Sequence, residues 1–263
     1  MSTSVATLES RNYVVQLFVL LRLSVTQLLR APTHERRSAA ARRLGRDALL
    51  LVGLGGTLAI ALMFAFDTTE IALMPPRGSP SVWWARDLTD FGKDSYVLWA
   101  LLAALLVTVL ALPLRHGTSR ARLLRFGTHL QYIFVAVLCA NLATEVLKYL
   151  IGRGRPFVGG KANAFNFMPL AGTEAYFSLP SAHAVTAFSL AFAVGVIWPR
   201  TRLIMFAYAV LIAATRLVLL AHHPSDVVVG AVVGILASVA VRYWFAARRL
   251  GFAIRNDGQI VPI

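Results

Sequence analysis

The sequence predicts an all-α membrane protein, a bundle of six transmembrane helices with an N-terminal amphipathic helix at the membrane interface. Two observations predict this class. Hydrophobic residues make up 57% of the 263 residues and charged residues only 14%, whereas about a quarter of the residues of a soluble domain are charged. In addition, six stretches have the roughly 20 mainly apolar residues that a helix needs to cross a bilayer. These stretches are 48–66, 96–114, 129–148, 182–198, 203–220 and 227–245.

Basic residues divide the chain and indicate its orientation. Residues 1–46 are a basic segment, residues 47–247 contain the six spans, and residues 248–263 are a basic tail. Two further basic clusters lie in the 115–126 loop and the 199–202 turn. If six helices alternate, all four basic regions lie on one side, which the positive-inside rule assigns to the cytoplasm. The formal charge of +14 therefore indicates membrane lipids rather than nucleic acid as partners.

The N-terminal segment is predicted to lie on the membrane rather than to cross it. Residues 12–29 are apolar but contain Arg22, and an arginine at the centre of a span costs about 2.5–3.5 kcal/mol. We therefore expect an amphipathic interfacial helix, followed by a basic linker over 36–43. A cleaved signal peptide is the alternative, but no small-residue cleavage site follows the apolar run.

The other connections belong on the external side. They are the 67–95 loop, the 149–181 loop and the 221–226 junction. The richness in Ala, Leu, Val and Arg suggests a bacterial source. We therefore expect a multi-pass protein of the bacterial cytoplasmic membrane. Every residue singled out for chemistry below falls on the side that faces the periplasm or the cell exterior.

Three cationic residues lie at the external ends of predicted spans. Lys148 ends the third span, Arg155 follows it in the loop, and Arg216 lies about one turn inside the fifth span. Charged residues in or beside spans are costly and usually functional. The planar fork of arginine matches phosphate oxygens two at a time, and such donors stabilise the charge that develops in phosphoryl transfer. Lys148 alone is also explained as a lysine that reaches toward lipid headgroups.

A histidine and an aspartate lie four residues apart at the start of the sixth span. His222 and Asp226 share one face of a helical turn. A carboxylate bound to one ring nitrogen fixes the tautomer and leaves the other nitrogen free to attack phosphorus. His223 is the competing nucleophile. An isolated pair of this kind is more simply explained as two interfacial histidines beside a helix-capping aspartate.

The fourth span begins with a second group of polar residues. Ser181 and His183 lie at this helix start, where backbone amides can bind an anion. His183 is a candidate general acid for the leaving oxygen. Ser181 either donates to the phosphate or caps the helix.

Together these segments resemble the type 2 phosphatidic acid phosphatase superfamily, which also includes the vanadium haloperoxidases. The family pattern is K-x6-R-P, then P-S-G-H, then S-R-x5-H-x3-D. This chain has Lys148…Arg155-Pro156, Pro180-Ser181-Ala182-His183 and Thr215-Arg216…His222…Asp226. The spacings and the order match the pattern, and the resemblance covers roughly residues 48–245.

The resemblance implies a role for each matched position. His222, rather than His223, would be the nucleophile that forms a phosphohistidine, Asp226 its orienting partner and His183 the general acid. The residues that would hold the phosphate are Lys148, Arg155, Ser181 and Arg216. Two positions depart from the pattern, since Ala182 replaces glycine and Thr215 replaces serine. The methyl group of Ala182 would crowd bulky headgroups, whereas Thr215 keeps the hydroxyl.

No metal and no cofactor are expected at this site. A magnesium site needs carboxylates beside the phosphate, and Asp226 is the only acidic residue within the three motifs. Glu145 is expected to pair with a neighbouring cation or polar group inside the bundle, and Arg153 and Glu174 are weak candidates for headgroup contacts. Three further acidic residues fit a solvated face better than a cation site, namely Asp87, Asp90 and Asp94.

These predictions describe an enzyme that hydrolyses a lipid phosphomonoester or diphosphate through a phosphohistidine. The candidate substrates are undecaprenyl diphosphate, phosphatidylglycerophosphate, phosphatidic acid and the phosphates of lipid A. One alternative is a phosphotransferase of the same fold, which passes the phosphoryl group to another lipid. Another is a non-enzymatic lipid-binding or scaffold protein, against which the complete set of ionisable residues argues.

Overall fold

The protein is mostly helical. We describe it from a computed structural model, over residues 12–156, 158–159, 163–255 and 259–263. The helices are α1 (Tyr13–Leu29), α2 (His34–Ala65), α3 (Asp67–Leu73), α4 (Trp83–Thr89), α5 (Asp94–Ala111), α6 (Gly117–Ile151), α7 (Ala182–Ile197), α8 (Arg202–Val218) and α9 (Pro224–Ala247). Two short strands, β1 (Phe252–Ile254) and β2 (Ile260–Pro262), pair antiparallel in the C-terminal tail.

Within the described residues, five helical segments are long and apolar enough to cross a membrane. They are His34–Ala65, Asp94–Leu114, Gly117–Ile151, Pro199–Val218 and Pro224–Ala247. The stretch predicted as the fourth span forms α7, which has 16 residues and is therefore about 24 Å long. That length is shorter than the roughly 30 Å hydrocarbon core. Helix α7 packs against α6, α8 and α9, so its apolar side chains are largely covered by protein rather than lipid.

Two helices extend beyond the spans that the sequence predicts. The basic linker expected over 36–43 is instead the first part of α2, which begins at His34. Helix α6 likewise begins at Gly117 and includes most of the basic 115–126 loop. Arginine, alanine and leucine are good helix formers, and their charges remain solvated beyond the apolar core. A hydropathy pattern reports only the apolar part of such a helix.

Polar contacts attach helix α1 to one end of the bundle. The Tyr13 hydroxyl donates to the Leu110 carbonyl at 2.8 Å, and the Trp244 indole donates to the Leu28 carbonyl at 3.2 Å. Gln131 also donates to Ser24 at 2.7 Å. These partners belong to α5, α6 and α9, so α1 lies across several helices instead of extending one of them.

The C-terminal tail is partly folded against the bundle. Phe252 on β1 is fully buried, and its ring lies 4.8 Å from the ring of Tyr132 on α6. The sequence predicts only a basic tail here, because two three-residue strands give too short a pattern to recognise.

The tightest helix contact joins α7 to α9. The sequence places Gly230 and Gly234 one turn apart on α9, a spacing that allows close helix packing. A Cβ atom at residue 234 would overlap the backbone carbonyl of Val185. One turn further along α9, Ser238 and Ser189 share a hydrogen bond of 2.9 Å. This close approach holds the start of α9 beside the start of α7.

Replacing Gly234 with alanine should destabilise the bundle. The added methyl group meets backbone atoms of α7, and overpacking of this kind costs about 1–3 kcal/mol. Gly53→Ala on α2 is the matched control, because a Cβ there meets nothing within 4 Å. Thermal unfolding in detergent should show a lower Tm for Gly234→Ala and an unchanged or higher Tm for Gly53→Ala. Equal Tm values for both variants would contradict the assigned packing.

Candidate active site

Four helix ends meet at one end of the bundle. Lys148 lies in the last turn of α6, His183 in the first turn of α7, and Arg216 in the last turn of α8. Asp226 lies in the first turn of α9, and His222 lies two residues before this helix begins. The structure therefore brings together the three motifs that the sequence separates by up to about 80 residues.

His222 is held by a backbone carbonyl. Its Nδ1 lies 2.8 Å from the Ser178 carbonyl oxygen and 3.9 Å from the nearer oxygen of Asp226. The expected hydrogen bond between Asp226 and His222 is therefore not formed. A carbonyl oxygen only accepts hydrogen bonds, so Nδ1 must carry the proton. The other nitrogen, Nε2, then has a free lone pair, which is the form that a nucleophile needs.

Burial keeps the His222 ring neutral. The residue is 3% exposed. Burial and then the positive charge of Arg216 hold the pKa of His222 well below its ordinary value, while Asp226 opposes this shift. The ring therefore stays unprotonated at Nε2 across the physiological pH range.

Asp226 acts on His222 through Ser178. One of its oxygens, Oδ2, accepts a 2.6 Å hydrogen bond from the Ser178 hydroxyl. The same oxygen accepts from the backbone N–H of His223 at 2.8 Å and lies 3.1 Å from the His223 ring. Asp226 and His223 thereby form a capping box at the start of α9. Asp226 fixes the residue whose carbonyl orients the His222 ring.

Arg153 occupies the centre of this arrangement. Its side chain is fully buried and donates to Asp226 at 2.5 Å, to Ser225 at 2.6 Å and to Asp67 at 2.8 Å. Two further hydrogen bonds reach the Ala164 carbonyl. The suggestion that Arg153 contacts lipid headgroups is therefore wrong. Arg153 instead has a structural role, because its guanidinium group can satisfy several acceptors from different segments at once.

The motif cations have more exposed partners. Lys148 pairs with Glu145 at 2.9 Å. The pairing of Glu145 with a cation agrees with the expectation, but this glutamate is exposed rather than inside the bundle. Arg155 pairs with Glu174 at 2.9 Å, so Glu174 contacts a motif arginine. The side chains of these two glutamates are 58% and 85% exposed. Exposed ion pairs contribute only about 0–1 kcal/mol, so a phosphate group can compete with either carboxylate.

Three buried polar atoms of the motif residues have no hydrogen-bond partner among the described residues. They are Ser181 Oγ, His183 Nε2 and Arg216 Nε. Such groups are nearly always paired in folded proteins. The His183 ring also experiences the positive charges of Arg216, Lys93, Lys148 and Arg155. An anion that accepts from these atoms would satisfy the three groups and offset the charge around them.

The loop between α2 and α5 supplies parts of the site that the sequence does not reveal. Thr89 on α4 accepts a 2.8 Å hydrogen bond from Arg216. Asp67 on α3 binds Arg153 and also accepts from Ser225. Gly92 lies so close to His183 that a Cβ atom there would be 3.4 Å from the ring. Contacts between segments that are far apart in the sequence leave no local sequence pattern, so they could not be predicted.

Glu70 is a third buried carboxyl group in this region, in addition to Asp67 and Asp226. It is 1% exposed, and neither carboxyl oxygen has a hydrogen-bond partner among the described residues. Burial, followed by the charges of Asp67 and Asp226, raises the pKa of Glu70 to about 7. The group therefore carries a proton through much of the neutral range.

The acidic residues do not gather into a metal-ligand cluster. Among the described residues, no group of three or more His, Cys, Asp or Glu side chains is arranged to hold a metal ion. Asp90 instead pairs with Lys93 at 2.7 Å. Asp226, the acid of the third motif, is engaged by Arg153, Ser178 and His223.

Comparison with known sequences agrees with the motifs. Residues 129–250 match the profile of the PAP2 superfamily. A lipid A 1-phosphatase of Rhizobium johnstonii is 30% identical over 200 residues, which are 76% of this chain and 81% of the relative. A lipid A 1-phosphatase of Rhizobium etli is 30% identical over 175 residues, 65% of this chain and 74% of the relative.

Two solved structures are also similar. Aquifex aeolicus LpxE has a TM-score of 0.49 at 22% identity, and the match covers 68% of this chain and 95% of the LpxE chain. A transmembrane PAP2-type phosphatidylglycerolphosphate phosphatase from Bacillus subtilis has a TM-score of 0.44 at 18% identity, with coverage of 74% and 94%.

The fold and the relatives define a bacterial multi-pass membrane protein of the phosphoester hydrolase class. The chain belongs to the PAP2 superfamily, the family that its three motifs resemble.

Two arginines separated by one residue should behave differently when neutralised. Arg153→Gln leaves two buried carboxylates without their partner, and breaking a buried pair costs about 3–5 kcal/mol. Arg155→Gln removes a partly exposed pair and should change stability by less than about 1 kcal/mol. Arg155→Gln should nevertheless lower turnover by about 10²-fold, because the motif assigns Arg155 to the phosphate. Thermal unfolding and phosphate release check both effects. Equal stability of the two variants would contradict the structural role assigned to Arg153.

Glu70→Gln should alter how stability depends on pH. An acid with a raised pKa keeps its proton in the folded protein but releases it on unfolding, so stability falls between about pH 4.5 and pH 7. Glutamine removes this loss, which amounts to at most about 3 kcal/mol. The variant should have a higher Tm than the wild type at pH 8 and a similar Tm at pH 4.5.

The exposed Asp87→Asn is the control for Glu70, and its Tm should follow that of the wild type at both pH values. Parallel curves of Tm against pH for the wild type and Glu70→Gln would show that the buried carboxyl does not titrate in this range.

Proposed function

We propose that the protein is a membrane lipid phosphatase in which His222 Nε2 attacks the phosphorus atom of a lipid phosphate. The observation that supports this most directly is the hydrogen bond from His222 Nδ1 to the Ser178 carbonyl at 2.8 Å. It fixes the tautomer with the lone pair on Nε2. The same ring lies within the field of Arg216 and Arg155, where a phosphate dianion is favoured.

In the first step, the bond between Nε2 and phosphorus forms as the bond from phosphorus to the lipid oxygen breaks. The negative charge of the bound phosphate offsets the surrounding cations and favours the protonated form of His183. Protonated His183 transfers its Nε2 proton to that leaving oxygen, so the lipid departs as an alcohol. The positive side chains that offset the charge on the equatorial oxygens are Lys148, Arg155 and Arg216. The Ser181 hydroxyl, which is buried and without a partner among the described residues, donates to one of these oxygens.

In the second step, water attacks the phosphohistidine. Neutral His183 accepts a proton from the water, the new oxygen–phosphorus bond forms, and the bond from phosphorus to Nε2 breaks. Inorganic phosphate leaves and His183 is again protonated. The two histidines therefore act as nucleophile and as acid–base group without a metal ion.

The substrate favoured by the relatives is a lipid A phosphate. Both curated relatives are named lipid A 1-phosphatase, and the first of them is matched over 81% of its length. We therefore place the sugar 1-phosphate of lipid A ahead of undecaprenyl diphosphate, phosphatidylglycerophosphate and phosphatidic acid. The distribution of basic loops supports an active site that faces the periplasm.

The two adjacent histidines provide the test of the nucleophile. His222→Ala should abolish turnover and phosphoenzyme formation, because the attacking nitrogen is removed. His223→Asn should keep substantial turnover, since its backbone N–H still donates to Asp226. Protein incubated with ³²P-labelled lipid phosphate and quenched in alkali, where phosphohistidine survives, reports the intermediate. Equal loss of labelling and turnover in both variants would overturn the assignment.

The substrate and the absence of a metal requirement can be tested in one assay. Purified protein should release phosphate from the 1-position of lipid A in excess EDTA at the rate measured without chelator. Phosphatidic acid and phosphatidylglycerophosphate should react more slowly. Activity that returns only with added Mg²⁺ would contradict the metal-free mechanism. Transfer of label to a second lipid instead of water would identify a phosphotransferase.

A further inference from the structure

A second basic pocket lies at the opposite end of α9 from the active site. Helix α9 has 24 residues, so its ends are about 36 Å apart. A cavity of about 400 Å³ lies between the end of α1, the first turns of α2 and the last turns of α9. None of its lining residues belongs to the three motifs, and phosphoryl transfer at His222 does not use it.

Three arginines carry the charge of this pocket. Arg37 and Arg248 line the cavity, and the positive charges of Arg30 and Arg37 both act on Arg248. Burial, and then these two charges, lower the pKa of Arg248. Among the described residues, no acidic side chain lies within ion-pair distance of any of the three. Unpaired cations that repel one another favour a shared anion.

Arg248 is built into the pocket rather than free in solvent. It is 7% exposed, and its Nε is buried without a hydrogen-bond partner among the described residues. Its guanidinium group lies 3.4 Å from the centre of the Trp244 ring and donates to the Trp244 carbonyl at 3.2 Å. Arg30 donates to the Arg248 carbonyl at 2.9 Å. These contacts fix the position of the cation.

The walls of the pocket are apolar. They are formed by Leu29, Ala31, Pro32, Ala40, Leu44 and Ala247. A free phosphate ion would use the arginines but not these walls. A molecule with an anionic head and a hydrocarbon chain would use both, and basic pockets between helices at the membrane surface bind such headgroups. The pocket also lies where apolar α9 ends and the basic tail begins, which is the level of the lipid headgroups.

We propose that this pocket binds an anionic phospholipid, with the phosphate between Arg30, Arg37 and Arg248 and an acyl chain along the apolar walls. The pocket joins α1 to the ends of α2 and α9, so a bound lipid links the N-terminal helix to the bundle. Its binding should therefore stabilise the folded protein. The proposal is independent of the substrate of the active site.

The test compares lipids on purified protein in detergent. Added phosphatidylglycerol should raise the Tm of the wild type by about 5 °C at saturating concentration. Phosphatidylcholine and inorganic phosphate should each raise it by less than about 1 °C. Phosphatidylglycerol should also remain bound to the wild type in native mass spectrometry. An equal Tm shift with phosphatidylcholine would overturn the proposal, and so would a full shift with inorganic phosphate alone.

Variants separate this pocket from general charge effects. Arg37→Gln/Arg248→Gln should lose the shift caused by phosphatidylglycerol, whereas Arg122→Gln/Arg200→Gln removes the same charge from exposed positions and should keep it. Arg37→Gln alone removes one exposed side chain and should at least halve the shift. Turnover in detergent should be unchanged in all three. A full shift in both Arg37 variants would show that the lipid binds elsewhere.

Discussion

The buried ion pair between Arg153 and Asp226 is the interaction on which the rest of the site depends. Both side chains are fully buried, with 2.5 Å between the paired atoms, and neither could remain charged there alone. Asp67 supplies the second carboxylate and connects α3 to the same guanidinium group. The pair fixes one oxygen of Asp226, and the other oxygen fixes Ser178, whose carbonyl orients His222. The tautomer of His222 is thus determined by a charge pair that is itself fully buried.

The cations of the site fall into two groups with different energetics. Arg153 is satisfied by buried protein groups and has no capacity left for a ligand. Lys148 and Arg155 pair with exposed glutamates, and such pairs contribute little to stability and exchange readily. Arg216 is anchored by Thr89 but keeps a buried Nε without a partner among the described residues. The difference explains how a site rich in positive charge can be stable without a ligand and still have cations available for the phosphate that we propose it binds.

The sequence predicts more of the membrane topology and the motif positions than of the contacts between them. Hydropathy locates the apolar helices and already shows that the stretch forming α7 is short, but it misses the basic first turns of α2 and α6. Motif spacing places His183, His222 and Arg216 at neighbouring helix ends. Arg153 and Asp67 are 86 positions apart, and only the folded chain brings them together. A backbone carbonyl orients His222, and a contact of this kind cannot be recognised from the identity of side chains. The sequence therefore suggests a hydrogen bond between His222 and Asp226, which the structure does not form.

The central claim is that the lone pair of His222 Nε2 is aimed at a phosphoryl group held by the motif cations. The most direct measurement is a high-resolution structure of the protein with orthovanadate, which adopts the five-coordinate geometry of phosphoryl transfer. We predict a bond between vanadium and His222 Nε2, with Lys148, Arg155 and Arg216 around the equatorial oxygens and His183 facing the apical oxygen. Vanadate bonded to His223, or bound away from these side chains, would contradict it.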